Sequence, residues 1–76
     1  MNDLFKTKQE QLLDYMRQKH YFASHDIVKW GVENFYIRSD RTKRDFLEQG
    51  IIRKLPEQEK IFRGFNSKDA WYEVVK

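Results

Sequence analysis

Four cations lie close together in the middle of the chain and share their segment with a single carboxylate, Asp40. They are Arg38, Arg41, Lys43 and Arg44. A guanidinium group can pair with a phosphate or a carboxylate through two parallel hydrogen bonds, whereas an ammonium group acts as a compact point charge. This combination predicts a surface that contacts an anionic partner.

A second interpretation of the same cations requires no partner. Arg41 precedes Asp45 by four residues. Arg44 stands in the same relation to Glu48. On a helix such pairs are neighbours and neutralise each other, which would make the segment an ordinary solvated face. The residues alone leave both interpretations open.

Another group of cations follows nearer the C-terminus, interrupted by Glu57 and Glu59. Its members are Arg53, Lys54, Lys60 and Arg63. These residues could extend the same cationic surface, although the two glutamates between them would repel an anionic partner. They could equally belong to a charged hairpin, because lysines on strand edges discourage aggregation.

The residue types and spacings predict no catalytic centre, metal site or cofactor site. His20 and His25 are the only histidines and there is no cysteine, too few ligands for a metal. Ser24, His25 and Asp26 are consecutive, and neighbours along a chain do not face each other as a catalytic triad requires. The glycines are isolated and form no phosphate-binding loop. We therefore expect neither an enzyme nor a small-molecule substrate.

Composition predicts a single small domain over 1–76. The chain has 76 residues, and aromatic residues make up 16% of them, which favours a densely packed core. The formal net charge of +3 is too small to identify a partner. No apolar run is long enough for a membrane helix, and the first residues do not resemble a signal peptide. We expect a cytoplasmic protein without membrane contact.

Hydrophobic spacing and capping signals divide this domain into helices followed by strands. The predicted helices are 3–19, 24–34 and 40–49, and the predicted strands are 51–55, 60–65 and 70–75. Ser24 and Ser39 are the expected N-caps of the second and third helices. Gly50 is expected to end the third helix in the left-handed conformation. The apolar residues of the connection "NFYIR" are expected to pack into the core, as are Trp30 and Trp71.

Three segments of the sequence resemble the winged helix-turn-helix superfamily of small bacterial and phage proteins. "SHDIVKWG" is similar to the second helix of that family, "RTKRDFLEQGIIRKL" to its recognition helix and first wing strand, and "AWYEV" to its closing wing strand. The resemblance covers about 9–75. It implies an α+β fold in which three helices are followed by a small antiparallel β wing.

The resemblance also implies binding to double-stranded DNA, as a small transcriptional or replication regulator. The recognition helix 40–49 would enter the major groove, with Arg41, Thr42 and Arg44 near bases and phosphates and Lys43 on phosphate. The expected DNA-binding residues are Arg38, Ser39, Arg41, Thr42, Lys43, Arg44, Arg53, Lys54, Lys60 and Arg63. One such domain buries only about 600–1,000 Å² on DNA, so a homodimer or a protein partner would be needed for specificity.

The alternative function is protein–protein interaction by the same fold, as an adaptor or as a phage-encoded inhibitor of a host protein. The modest net charge and the many aromatic residues favour it. DNA binding predicts one continuous positive face formed by the helix and wing cations. The alternative predicts an exposed aromatic patch, such as Phe62 with Phe65, and cations neutralised by Asp45, Glu48 and Glu57.

Overall fold

The computed structural model describes residues 6–76, which form a small α+β domain. In that range there are four helices and a three-stranded antiparallel sheet of order β1-β3-β2. The elements are α1 (Lys8–Lys19), β1 (Tyr21–Ala23), α2 (Ser24–Glu33), α3 (Ser39–Glu48), β2 (Ile52–Lys54), α4 (Glu57–Phe62) and β3 (Trp71–Val74). No helix in the described range is long and apolar enough to cross a membrane.

Helix α1 begins later than predicted because a capping box sets its start. The Thr7 side chain accepts a hydrogen bond from the backbone N–H of Glu10 at 3.1 Å. The Glu10 carboxylate in turn accepts from the Thr7 N–H at 3.3 Å. These two bonds satisfy amides that the first turn leaves without partners. The predicted helix over residues 3–5 lies outside the described residues.

Strand β1 joins α1 to α2 and was not predicted. Its three residues pair with β3 at the other end of the chain, with Phe22 opposite Tyr72. The Phe22 and Tyr72 rings stack with their centroids 5.6 Å apart. The strand leads directly into α2, so the capping position is Ala23 instead of Ser24, and the Asp26 carboxylate accepts a hydrogen bond from the Ala23 N–H.

Helices α2 and α3 approach each other closely at Gly31. A Cβ atom at this position would lie 2.3 Å from Ser39 Oγ and 2.7 Å from the Tyr36 carbonyl oxygen. Helix α3 begins at Ser39, one residue earlier than predicted, and Arg38 occupies the capping position without a side-chain cap. Ser39 is therefore not the N-cap that the sequence predicts, and its hydroxyl lies in the α2–α3 contact.

The predicted strand 60–65 is wrong, because α4 spans Glu57–Phe62. Pro56 precedes it in an extended conformation, which suits the start of a helix. Glu57 and Glu59 lie in the first turn, where the helix dipole favours anions. The strands predicted at 51–55 and 70–75 correspond to the shorter β2 and β3.

The core lies between the helices and one face of the sheet. The largest fully buried side chains are Phe22, Leu12, Met16, Ile27 and Ile52. Trp30 is also in the core, as expected. Trp71 is only half-buried and lies on the opposite face of the sheet, where its ring stacks on Phe65 with centroids 4.3 Å apart. Phe65 and α4 thereby cover this second face.

Candidate functional site

Helix α3 has one buried side and one outward side, and its cations are divided between them. Ser39, Thr42, Lys43 and Phe46 are buried. Arg41, Arg44 and Glu48 are exposed on the opposite side, at intervals of three and four residues. Arg38 is exposed at the start of the helix. The outward side is therefore cationic in its first half.

The three arginines on this side differ in their ion pairs. Arg44 lies 3.1 Å from the Asp40 carboxylate, although its side chain remains 72% exposed. Within residues 6–76, neither Arg38 nor Arg41 has a carboxylate within 4.0 Å. The i, i+4 pairs considered for Arg41 and Arg44 do not form in this structure. Two guanidinium groups are thus available to an external anion.

Lys43 lies on the inward side of α3 and is not available to a phosphate in this conformation. Its ammonium group is 3.0 Å from Asp40 and 4.9 Å from the centre of the Tyr72 ring. The hydrogen bond from Lys43 holds the pKa of the Asp40 carboxyl below its ordinary value, against the opposing effect of partial burial, and the charges of Lys43 and Arg44 act in the same direction. The Lys43 ammonium group is therefore occupied by contacts within the domain.

Thr42 and Ser39 are also enclosed by the fold. The Thr42 hydroxyl lies 2.6 Å from the Tyr36 hydroxyl, and Thr42 is only 2% exposed. Ser39 packs against Gly31. Neither side chain reaches the outward side of α3, although both were expected to contact DNA.

The cations after Gly50 are mostly held by contacts within the domain. Arg53 donates to Glu59 at 2.8 Å and to Glu73 at 2.7 Å, and these bonds raise the pKa of its guanidinium. Arg63 lies 3.6 Å from Glu59 and over the Tyr21 ring. The predicted continuous positive face does not extend across these residues.

Lys60 and Lys54 have opposite environments. Lys60 is 5% exposed and donates hydrogen bonds to the carbonyl oxygens of Ser67 and Asp69. Lys54 is exposed and, with Lys68, lines a shallow cleft of about 570 Å³. Lys60 also pairs with Glu57 at 2.9 Å. Of the four cations predicted to bind DNA after Gly50, Lys54 is therefore the one without an ion pair within residues 6–76.

Glu73 lies on the central strand β3, where its carboxylate contacts Arg53 and His20. The titration of this carboxylate makes these contacts sensitive to acid. Burial alone would raise the pKa of the Glu73 carboxyl, but hydrogen bonds from Arg53, His20 and Tyr21 hold it below its ordinary value. The ionised carboxylate therefore stabilises the fold at neutral pH. This contribution is lost as the pH falls through the lowered pKa, because the unfolded chain takes up its proton at a higher pH.

We expect the Glu73→Gln substitution to remove part of this acid sensitivity. The variant should be less stable than the wild type at pH 7. The difference should shrink as the pH falls below about 4.5, the ordinary pKa of a glutamate. Urea unfolding midpoints measured across this range test the expectation. Plots of the unfolding midpoint against pH that run parallel for the two proteins would contradict it. The acid sensitivity would then come from groups that both proteins share, such as Asp40.

The connection between α2 and α3 presents large apolar side chains to solvent. Phe35 is 93% exposed and Ile37 is 98% exposed, so the expectation that "NFYIR" packs into the core holds for Tyr36 alone. Sequence reasoning missed both residues as surface features. No local pattern signals this exposure, because it follows from the turns on either side of Tyr36 and from the left-handed conformation of Phe35.

A second exposed apolar pair lies on α4. Ile61 is 66% exposed and Phe62 is 89% exposed. Phe65, which was predicted as a member of this patch, packs instead on Tyr21 and Trp71. Of the aromatic pair expected for a protein-binding module, Phe62 is exposed, next to Ile61, and Phe65 is not.

The His, Asp and Glu side chains of residues 6–76 form no group of three that could hold a metal ion. The features that remain for recognition are the outward arginines of α3, the apolar pair before them, and the apolar pair on α4. Comparisons of the chain with family models, with curated proteins and with solved structures gave no match.

Proposed function

We propose that this protein binds double-stranded DNA as a small transcriptional or replication regulator of the winged helix-turn-helix type. In this proposal the first half of α3 lies in the major groove. The order of elements supports it, because α2 and α3 form a tightly joined helix pair and the antiparallel strands β2 and β3 follow it. The segment between these strands, including α4, would take the place of the wing tip.

The observation that carries the proposal is the exposed cationic half of α3. Arg38, Arg41 and Arg44 lie at the start and on the outward side of one helix. A helix with its side chains is about 10–12 Å across and fits a major groove about 12 Å wide. Arginine in that position can bind phosphate oxygens or the O6 and N7 atoms of guanine.

The DNA contacts that we propose are fewer than the sequence predicts. Lys54 would contact the flanking phosphate backbone from the end of β2. Arg53 and Arg63 would remain in their ion pairs with Glu59, and Lys43 and Lys60 would keep their structural roles. We therefore expect micromolar non-specific affinity with a moderate dependence on salt, because few phosphates are neutralised.

The test is fluorescence anisotropy with a random-sequence duplex over a series of salt concentrations. The Arg41→Ala/Arg44→Ala variant should bind about tenfold more weakly or worse, and the slope of log affinity against log salt should fall by about 2. Both side chains are exposed, so the fold should be retained, which circular dichroism can check.

The matched control removes two exposed cations from α1. Lys8→Ala/Arg17→Ala changes the net charge by the same amount and should retain most of the affinity. Equal losses in the two variants would mean that total charge, and not the α3 surface, governs binding. Absence of binding by the folded wild type at low salt would overturn the proposal.

A second candidate function is protein–protein interaction, and the surface of α4 favours it. Ile61 and Phe62 are exposed side by side, while the neighbouring cations Arg53 and Arg63 are paired with Glu59 and Glu73. Such a surface suits an apolar partner better than DNA. Under the leading proposal the same surface could join two copies or a partner protein and so increase specificity.

A further inference from the structure

We propose that Phe35 and Ile37 recognise thymine methyl groups in the major groove and so give the protein a preference for A·T base pairs. This inference rests on the proposed DNA binding and deepens it. In the major groove thymine alone among the four bases presents a methyl group, and apolar side chains are the usual means of reading it. The argument depends on where the two residues lie, how they are held, and what surrounds them.

Ile37 lies in the turn two residues before α3 begins and is 98% exposed. It directly precedes Arg38, whose side chain is also exposed. Helix-turn-helix proteins place the N-terminal residues of the recognition helix against the base edges. If the start of α3 lies in the groove, Ile37 therefore lies close to the base edges.

Tyr36 anchors the backbone of the loop that carries both apolar side chains. Tyr36, which lies between them, donates its backbone N–H to the Gly31 carbonyl at 2.7 Å. Its hydroxyl bonds to Thr42 and its ring packs edge-on against Trp30. An anchored backbone loses less conformational entropy on binding than a mobile loop does.

Phe35 has a backbone conformation that is unfavourable for its residue type. Its φ angle is +56°, in the left-handed region where glycine or asparagine is the usual residue. The side chain gains little from the fold because it is 93% exposed. A large aromatic residue at this position is therefore better explained by a contact outside the domain than by stability.

The surroundings of the apolar pair favour base edges over an apolar protein surface. Arg38 directly follows Ile37 in the chain, and neither Arg38 nor Arg41 has a carboxylate partner within residues 6–76. Ile37 also lines a mostly apolar groove of about 260 Å³ with Val28, Val32 and Asp40, and the Asp40 carboxylate is paired with Lys43 and Arg44. Guanidinium groups without ion pairs can bind phosphates and base edges, and an apolar groove next to them can hold a thymine methyl group. We therefore assign DNA bases as the occupant.

The experiment compares two short duplexes of alternating A·T pairs, one containing thymidine and the other deoxyuridine. The phosphates are the same and only the methyl groups differ. The wild type should bind the deoxyuridine duplex about four- to fifteenfold more weakly, the loss expected for one or two buried methyl groups. Ile37→Ser and Phe35→Gly should each reduce this ratio, and the double variant should bind both duplexes equally.

Phe62→Ser is the matched control, because it removes an equally exposed aromatic residue from α4 and should retain the wild-type ratio. Equal binding of the two duplexes by the wild type would overturn the inference while the proposed DNA binding stands. Absence of binding to either duplex would overturn both.

Discussion

The Phe22→Ala variant should lose about 3–5 kcal/mol of unfolding free energy, enough to leave a domain of this size largely unfolded at 37 °C. Phe22 is fully buried in the short strand β1 and stacks on Tyr72. Its ring is one of the largest fully buried groups and contacts Tyr72 on the central strand β3. Truncation would leave a cavity in the centre of the core, which the helices cannot fill without moving.

Thermal and urea unfolding of the purified variants measure this effect. The control is Phe62→Ala, which removes the same side chain from an exposed position on α4 and should change the unfolding free energy by no more than about 0.5 kcal/mol. A loss of less than about 1 kcal/mol in Phe22→Ala would contradict the position of β1 in the core.

Short-range signals in the sequence were sufficient for α2 and α3. The apolar spacing and acidic first turn of α2, and the basic segment that ends at Gly50, depend only on residues within a few turns of each other. Gly50 has a φ angle of +75°, as its predicted role at the end of α3 requires. These elements therefore appear close to the predicted positions, apart from shifts of one residue at their ends.

The two elements that the sequence did not reveal depend on distant contacts. Strand β1 has three residues, too few to show an alternating pattern, and pairs with residues about fifty positions away. The segment that contains α4 has apolar residues that suit either a strand or a helix. Its choice follows from the Phe65 ring packing on Trp71 and from Glu59 bonding to Arg53, which local periodicity cannot show.

The candidate site was predictable in position but not in composition. The sequence located a cationic helix, but the residues that face inward depend on how α3 packs against α2 and the sheet. Ser39, Thr42 and Phe46 repeat at intervals of three and four, and Lys43 joins them on the buried side. A long lysine stem can be buried when its ammonium group finds a carboxylate and an aromatic ring, as it does here.

The substitution Gly31→Ala should destabilise the protein by about 1–3 kcal/mol, although glycine to alanine usually favours a helix by up to about 1 kcal/mol. The added Cβ would lie 2.7 Å from the Tyr36 carbonyl oxygen, a backbone atom that no rotamer change can move. Relief requires α2 and α3 to separate. That movement would displace the loop bearing Phe35 and Ile37, so the DNA binding that we propose should also weaken in the fraction that remains folded.

A double-mutant cycle with Ser39→Gly tests whether this close approach is the cause. Ser39→Gly removes the hydroxyl at 2.3 Å and the Cβ at 2.9 Å from the new methyl group, and leaves the Tyr36 oxygen in place. The double variant should therefore be more stable than the sum of the single losses predicts, because part of the collision is gone. Urea unfolding midpoints of the wild type, the two single variants and the double variant supply the four stabilities that the cycle needs. Additive losses, or a Gly31→Ala protein more stable than the wild type, would show that the two helices are not in contact at this position.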